Sequence, residues 1–327
     1  MKKIHKGTTL AVVLDLAALI CVFTGYYPVA AGLALVAYFA AIKEIAMYTS
    51  WYQFSMVYTS SALLGLSLDL PFQHLPFFTL ALLITAFGSI GRITYFCKFS
   101  YTGYPWFEPS LFAVSTLIYL FANLAGYYDW KGWALPLPVL VFSGVLGWGI
   151  VKDKRQLLAK TMGGYKVQAG KIASDFELPD QDGNLVRLSD FKNKRHLLLV
   201  FVRGDWCPGC HMMLRTYEKN NAAFQKKNVF VMAIGPDPIG VNRDMVQKLG
   251  LDFKVLSDED QKIAMDYGVQ MKEYDNSFSE KYEVGIPLPA SFLIDKQGIV
   301  RYVSRPDKVG EFLNPSLIFP IVEQLPS

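Results

Sequence analysis

Charge is scarce in the first part of this 327-residue chain. Residues 1–151 hold 7 Lys or Arg and 5 Asp or Glu, about 8% charged, against 25 and 23 in residues 152–327, about 27%. The second value matches ordinary soluble domains and the first does not. Cysteine is also rare, with four in the chain, so no disulfide-stapled scaffold is at hand. No strong net charge marks either part; the second is +2, which argues against nucleic acid as a partner. With 52% hydrophobic residues, the chain is not disordered either.

What fills the charge-poor part is apolar sequence. About 20 apolar residues span the roughly 30 Å of a bilayer core. Six stretches are candidates: Thr8–Gly25, Pro28–Ile42 (extending toward Tyr48), Trp51–Leu68, Leu75–Gly91, Pro109–Tyr127 and Trp133–Val151. Aromatic residues suited to the headgroup level gather at the breaks, among them Tyr26, Trp51, Tyr104, Trp106, Tyr128 and Trp133. The third stretch is the weakest, diluted by Gln53, Ser55, Thr59, Ser60 and Ser61. The basic start does not read as a cleaved signal peptide, because five further apolar segments follow. With six spans and the N-terminus inside, nine Lys or Arg lie inside and one, Lys131, outside; dropping the third span gives five against five. The expectation is an integral protein of a bacterial-type inner or plasma membrane, with both termini in the cytoplasm.

Asp15 falls inside the first span, where a carboxylate is costly and a functional role is the first hypothesis. A carboxyl that stays protonated or reaches water near the helix end is the plainer alternative. Cys21 and Cys97 lie on opposite sides of this topology and read as filler. No Cys-x-x-Cys or His pair within the spans points to haem.

Residues 152–168 read as a basic, partly helical linker broken at Gly163-Gly164. From residue 169 onward, strand and helix patterns alternate. Phe176–Leu178 and Leu185–Leu188 flank a hairpin turn at Asp182-Gly183. His196–Val202 reads as a buried parallel strand, followed by a helix from about Pro208 to Gln225. Asn228–Ile234 and Phe253–Leu256 read as strands, with Met245–Leu249 and Glu259–Tyr267 helical. Ser291–Ile294 and Ile299–Val303 form a final hairpin, and Pro315–Gln324 a last helix. The fold class expected is an all-α polytopic membrane domain over 1–151, then an α/β thioredoxin-like domain with a mixed sheet over 169–327.

The informative motif is Trp206-Cys207-Pro208-Gly209-Cys210, placed where a strand ends and a helix begins. Helix N-terminal N–H groups favour the Cys207 thiolate, which is the nucleophilic form. Cys210, one turn on, can resolve a mixed disulfide or a sulfenic acid. Pro208 suits the first helical turn. A zinc half-site lacks a second ligand pair, and a purely structural disulfide does not suit a reducing cytoplasm. No metal is expected.

Residues from about 170 to 312 resemble the redoxin branch of the thioredoxin fold, the alkyl hydroperoxide reductase/thiol-specific antioxidant (peroxiredoxin-like) group. The segments that carry the likeness are Arg203-Gly204-Asp205-Trp206-Cys207-Pro208-Gly209-Cys210, Ala173–Leu178, and Leu288-Pro289-Ala290-Ser291-Phe292-Leu293-Ile294-Asp295. The resemblance implies Cys207 and Cys210 as catalytic residues, with Trp206, Pro208, Arg203 and Pro289 as support. It implies that Pro289 is a cis-proline facing the cysteines, with Pro287 as the competing position. It also implies a hydroperoxide substrate, a thioredoxin-like or glutathione-linked reductant, and no cofactor. One departure stands out: the Pro and Thr/Ser usual before the peroxide-reactive cysteine are Val200 and Gly204 here. The expected function is a membrane-anchored thiol peroxidase. The alternatives are a thiol–disulfide oxidoreductase acting on a protein, or a transporter or sensor domain regulated by the thiol pair.

Overall fold

The computed structural model describes residues 6–48, 50–72, 75–94, 103–126, 129–161, 164–272, 282–304 and 318–325. Cys97, several flanking aromatics and much of the expected last helix lie outside them. The chain divides into two compact units, Met1–Tyr95 with Tyr104–Asp153, and Phe96–Gly103 with Lys154–Ser327.

The first unit is helical: α1 (Lys6–Phe23), α2 (Tyr27–Tyr48), α3 (Trp51–Asp69), α4 (Phe77–Thr94), α5 (Phe107–Leu124), the short α6 (Trp130–Ala134), and α7 (Leu137–Thr161), which runs on into the second unit. Each expected apolar stretch is helical; the sixth is interrupted at Leu135-Pro136, as a proline ring requires. Among the described residues, four segments are long and apolar enough to cross a membrane: Lys6–Phe23, Tyr27–Ile45, Phe107–Leu124 and Trp130–Ala159. The expectation of about six spans narrows at α3 and α4. The apolar part of α4, Phe77–Arg92, is shorter, and α3 carries Gln53, Ser60, Ser61 and Ser67, all buried. These polar groups are satisfied inside the unit. Ser61 and Ser67 donate to carbonyls one turn back at 2.7 and 2.6 Å. Asp69 caps α4 by accepting from the Phe78 and Thr79 amides at 3.1 and 2.8 Å. Arg92 pairs with Glu108 in the interior and donates to the Tyr104 carbonyl at 2.8 Å, joining the end of α4 to the start of α5.

The second unit is built on a five-stranded sheet ordered β5-β4-β3-β8-β9. Its strands are β3 (His196–Phe201), β4 (Val229–Gly235), β5 (Lys254–Ser257), β8 (Ala290–Ile294) and β9 (Val300–Val303). β3, β4 and β5 run parallel, and β8 and β9 add antiparallel, so the sheet is mixed as the sequence suggests. Every residue of β3 is buried, the mark of a central strand covered on both faces. β1 (Glu177–Pro179) and β2 (Leu185–Arg187) form the expected hairpin. A second small ladder, β6 (Gln270–Met271) with β7 (Ile286–Pro287), is too short to show in the sequence pattern. The helices are α8 (Pro208–Lys226), α9 (Ile239–Leu249), α10 (Lys262–Tyr267) and α11 (Phe319–Val322). α9 begins six residues before the expected start because Pro238 serves as its N-cap.

Phe201, Tyr267 and Phe292 pack with ring centroids 5.0–5.7 Å apart at the centre of the core. The Tyr217 hydroxyl on α8 lies 3.2 Å from Ser291 Oγ on β8, so α8 is tied to the sheet at a fixed rotation. Phe201 pairs with Ala290 in the β3–β8 register. Pro289 therefore stands at the sheet end where β3 runs out toward Cys207. It is not cis: the described peptide bonds are all trans, at Pro289 and Pro287 alike. The Leu288 amide, between β7 and β8, donates to the Val269 carbonyl at 2.6 Å.

Candidate active site

Beyond Phe201 the chain leaves the sheet through Val202–Trp206 and enters α8 at Cys207. Cys207 is the N-cap residue, in extended conformation, and Pro208 opens the helix without an amide to satisfy. The Cys207 sulfur accepts the Cys210 amide at 3.3 Å, taking the place a serine or aspartate oxygen has in ordinary caps. This bond and the helix dipole both favour negative charge on that sulfur. Cys210 is one turn on, and its sulfur accepts the Arg203 amide at 3.4 Å. Neither cysteine is in a disulfide. Burial first, and then the adjoining Cys207 sulfur, push the Cys210 thiol well above its usual value, while Arg203 pulls the other way. The two sulfurs thus differ in character: Cys207 caps the helix, and Cys210 is a buried thiol that keeps its proton.

Arg203 is buried beside them, its guanidinium 4.9 Å from the centre of the Trp206 ring. Trp206 Nε1 donates to the Arg203 carbonyl at 3.1 Å, closing the loop. The structure thus gathers Arg203, Trp206, Cys207, Pro208 and Cys210 into one turn. Cys21 and Asp15 both lie on α1, in the helical unit.

The sequence reading missed the groups that hold the loop from behind. Asp237, just past β4, accepts the Asp205 amide at 2.6 Å through one carboxylate oxygen and the Tyr282 hydroxyl at 2.6 Å through the other. Asn242 fixes Asp237 in turn by donating to its carbonyl at 3.0 Å. The Asp205 carboxylate meets His211 Nε2 at 3.0 Å and Lys248 Nζ at 2.5 Å. Burial alone would raise Asp205, but the bonds from His211 and Lys248 outweigh it and hold it below the usual carboxylate range. Burial, then the Asp237 charge, push the Tyr282 phenol up, so it remains a donor. The available signal was an acidic residue in the loop at the carboxyl end of a parallel strand, where functional groups collect. Tyr282 carried no such signal.

This lattice explains Gly204. Its φ is +125°, a region side chains avoid. A Cβ there would lie 2.5 Å from the Tyr282 hydroxyl and 3.0 Å from both Asp237 Oδ2 and Trp206 Nε1. The hydroxyl side chain usual in the resembling group has no room.

His211 is fully buried, and burial lowers its pKa, with Asp205 partly offsetting that. The folded state therefore keeps His211 neutral where the unfolded chain protonates it. Its contribution is present above the unfolded value of 6.5 and is lost as pH falls below it. Stability of this unit should drop by up to about 1.4 kcal/mol per pH unit in that window. Hydrogen exchange of the β3 amides at graded pH measures it, and H211N should remove one proton from the slope. An unchanged slope in H211N would place the proton elsewhere.

Comparison with known proteins places this segment in a family. The AhpC/TSA family model matches residues 169–303. Peroxiredoxin Bcp of Escherichia coli (strain K12) is 36% identical over 137 residues, 42% of this chain and 85% of that protein. The putative peroxiredoxin bcp of Coxiella burnetii is 31% identical over 137 residues, 42% of this chain and 87% of that protein. The chloroplastic peroxiredoxin Q of Oryza sativa subsp. japonica is 31% identical over 153 residues. That match takes in 45% of this chain and 66% of the rice protein, so the chain spans just under two thirds of that relative. Through the segment that carries Cys207 and Cys210, the chain belongs to the AhpC/TSA family.

Proposed function

We propose that the protein is a thiol peroxidase held at a membrane by its helical unit. The Cys207 thiolate attacks one oxygen of a hydroperoxide, the O–O bond breaks, and the leaving oxygen departs as an alcohol or water after taking a proton. Cys207 becomes a sulfenic acid. The Cys210 thiol then displaces that hydroxyl as water and forms the Cys207–Cys210 disulfide. A thioredoxin-like or glutathione-linked dithiol returns both sulfurs to thiols by exchange. Arg203 supplies the positive charge beside the sulfurs. The observation that carries this reading is the Cys207 sulfur as helix cap, with a proton-bearing Cys210 one turn behind it. The charge bias of the apolar segments supports a cytoplasmic thiol site, where such reductants are found.

One observation favours a second reading, disulfide exchange with a protein partner. At Gly204 there is no hydroxyl to orient a peroxide, and Tyr282 fills the space. The deciding experiment gives the full chain in detergent a dithiol and either a hydroperoxide or a protein disulfide. Peroxide consumption supports the peroxidase. Disulfide reduction without peroxide consumption selects the second reading.

A further inference from the structure

The helical unit holds a carboxyl that the thiol chemistry does not use. Asp15 is 5% exposed, midway along α1. Both its carboxyl oxygens lie near one group, the Ser60 hydroxyl of α3, at 3.0 and 2.9 Å. A hydroxyl has one hydrogen and can satisfy one of those oxygens. The other oxygen is satisfied when it carries a hydrogen itself and donates it back to Ser60 Oγ. An ionised carboxylate at this position would be a buried charge with a single donor, which costs several kcal/mol.

Among the described residues, no cation lies at the level of Asp15 on the helices packed against it. α1 packs against α2 and α3. The charged residues of these helices besides Asp15 are Lys6 on α1, Lys43 and Glu44 on α2, and Asp69 on α3. Glu44 accepts from the Gly7 amide, the Thr8 amide and the Thr8 hydroxyl at 2.6, 2.9 and 2.8 Å. Gln53 donates to the same Thr8 hydroxyl at 3.1 Å. Lys6, Lys43 and Glu44 therefore belong to the Thr8 level, seven residues or about 10 Å along α1 from Asp15. Asp69 lies nine residues beyond Ser60 and caps α4. The nearest titratable side chain of α2 in this antiparallel register is Tyr38, whose hydroxyl lies 3.3 Å from Ser143 Oγ; Tyr58 is the titratable group of α3 closest in sequence to Ser60. Thr8 with Gln53 and Asp15 with Ser60 form two polar rungs, seven residues apart on both helices, and the outer rung bears a carboxylate in reach of the helix end.

We propose that Asp15 is a proton-binding site of the helical unit: a carboxylic acid closed into a ring with the Ser60 hydroxyl. The helical unit then binds a proton that the thiol chemistry does not use. The burial and the ring stand on the geometry of the unit; the link to a membrane rests on the reading above.

The test is dicyclohexylcarbodiimide, which adds to protonated carboxyls in apolar surroundings and leaves a stable acylurea. The full chain is reconstituted in phosphatidylcholine vesicles, labelled across a pH series and mapped by mass spectrometry. The expected result is an adduct on Asp15 whose yield falls as pH rises, is absent in D15N, and shifts its pH midpoint in S60A. An infrared carboxylic-acid band present in the wild type and missing from D15N is the second readout. No adduct on Asp15 at any pH, an adduct on Glu44 instead, or a yield that does not change with pH overturns the proposal. Alkaline carbonate extraction of membranes carrying the chain tests the membrane reading separately.

Discussion

C207S is expected to abolish turnover, and C210S to allow a single one. Without the Cys207 sulfur there is no nucleophile at the helix cap, and peroxide consumption should fall to the buffer rate, a loss of several orders of magnitude. C210S keeps the attacking sulfur but removes the group that condenses with its oxidised form. One equivalent of peroxide should then be consumed, and the Cys207 sulfenic acid should accumulate until dimedone traps it. The asymmetry follows from the structure. Cys207 caps α8 and accepts an amide hydrogen, whereas Cys210 is buried with its pKa raised. Rapid-mix peroxide assays and intact-protein mass measure both outcomes. Equal, full activity in the two variants would remove the dithiol cycle.

G204S is the second large effect, and its direction is counterintuitive. In the resembling group a hydroxyl residue stands at this position and helps peroxide chemistry, so a serine looks like a repair. Here it should do damage. The backbone at φ +125° strains any side chain by about 1–3 kcal/mol. The new Cβ would also press on the Tyr282 hydroxyl at 2.5 Å. Relief requires the Asp237–Tyr282 bond to open or the 203–206 loop to move, and either disturbs the cap at Cys207. G204S should lose peroxide activity at least tenfold, the kinetic equivalent of about 1.4 kcal/mol, and β3 should exchange its amides faster. G204S/Y282F, which lacks the offending oxygen, should be less impaired than the two single changes combined. An active, stable G204S would show that the loop is not held as described.

A redox-active dithiol was legible in the motif and its strand–helix setting, and the family was legible as the resemblance of Arg203–Cys210, Ala173–Leu178 and Leu288–Asp295. The central strand was legible because His196–Phe201 is apolar on both faces. The other strands of that sheet were legible where runs reached four residues. The β6–β7 ladder was not, since two-residue strands carry no period. The trans Pro289 was not legible either: the resemblance implied a cis bond there, and the structure has it trans.

The sequence by itself determined the two-part plan, the helical segments and the pair of cysteines at a helix start, because each is written in local composition and spacing. Only the tertiary structure decided what surrounds those cysteines and what meets Asp15. Asp237 and Tyr282 are 45 residues apart, and both reach the loop before Cys207. Ser60, likewise 45 residues from Asp15, reaches it across the α1–α3 interface. Partners at such separations are chosen by packing, register and the need to satisfy buried polar groups, and none of these leaves a periodic trace in the chain.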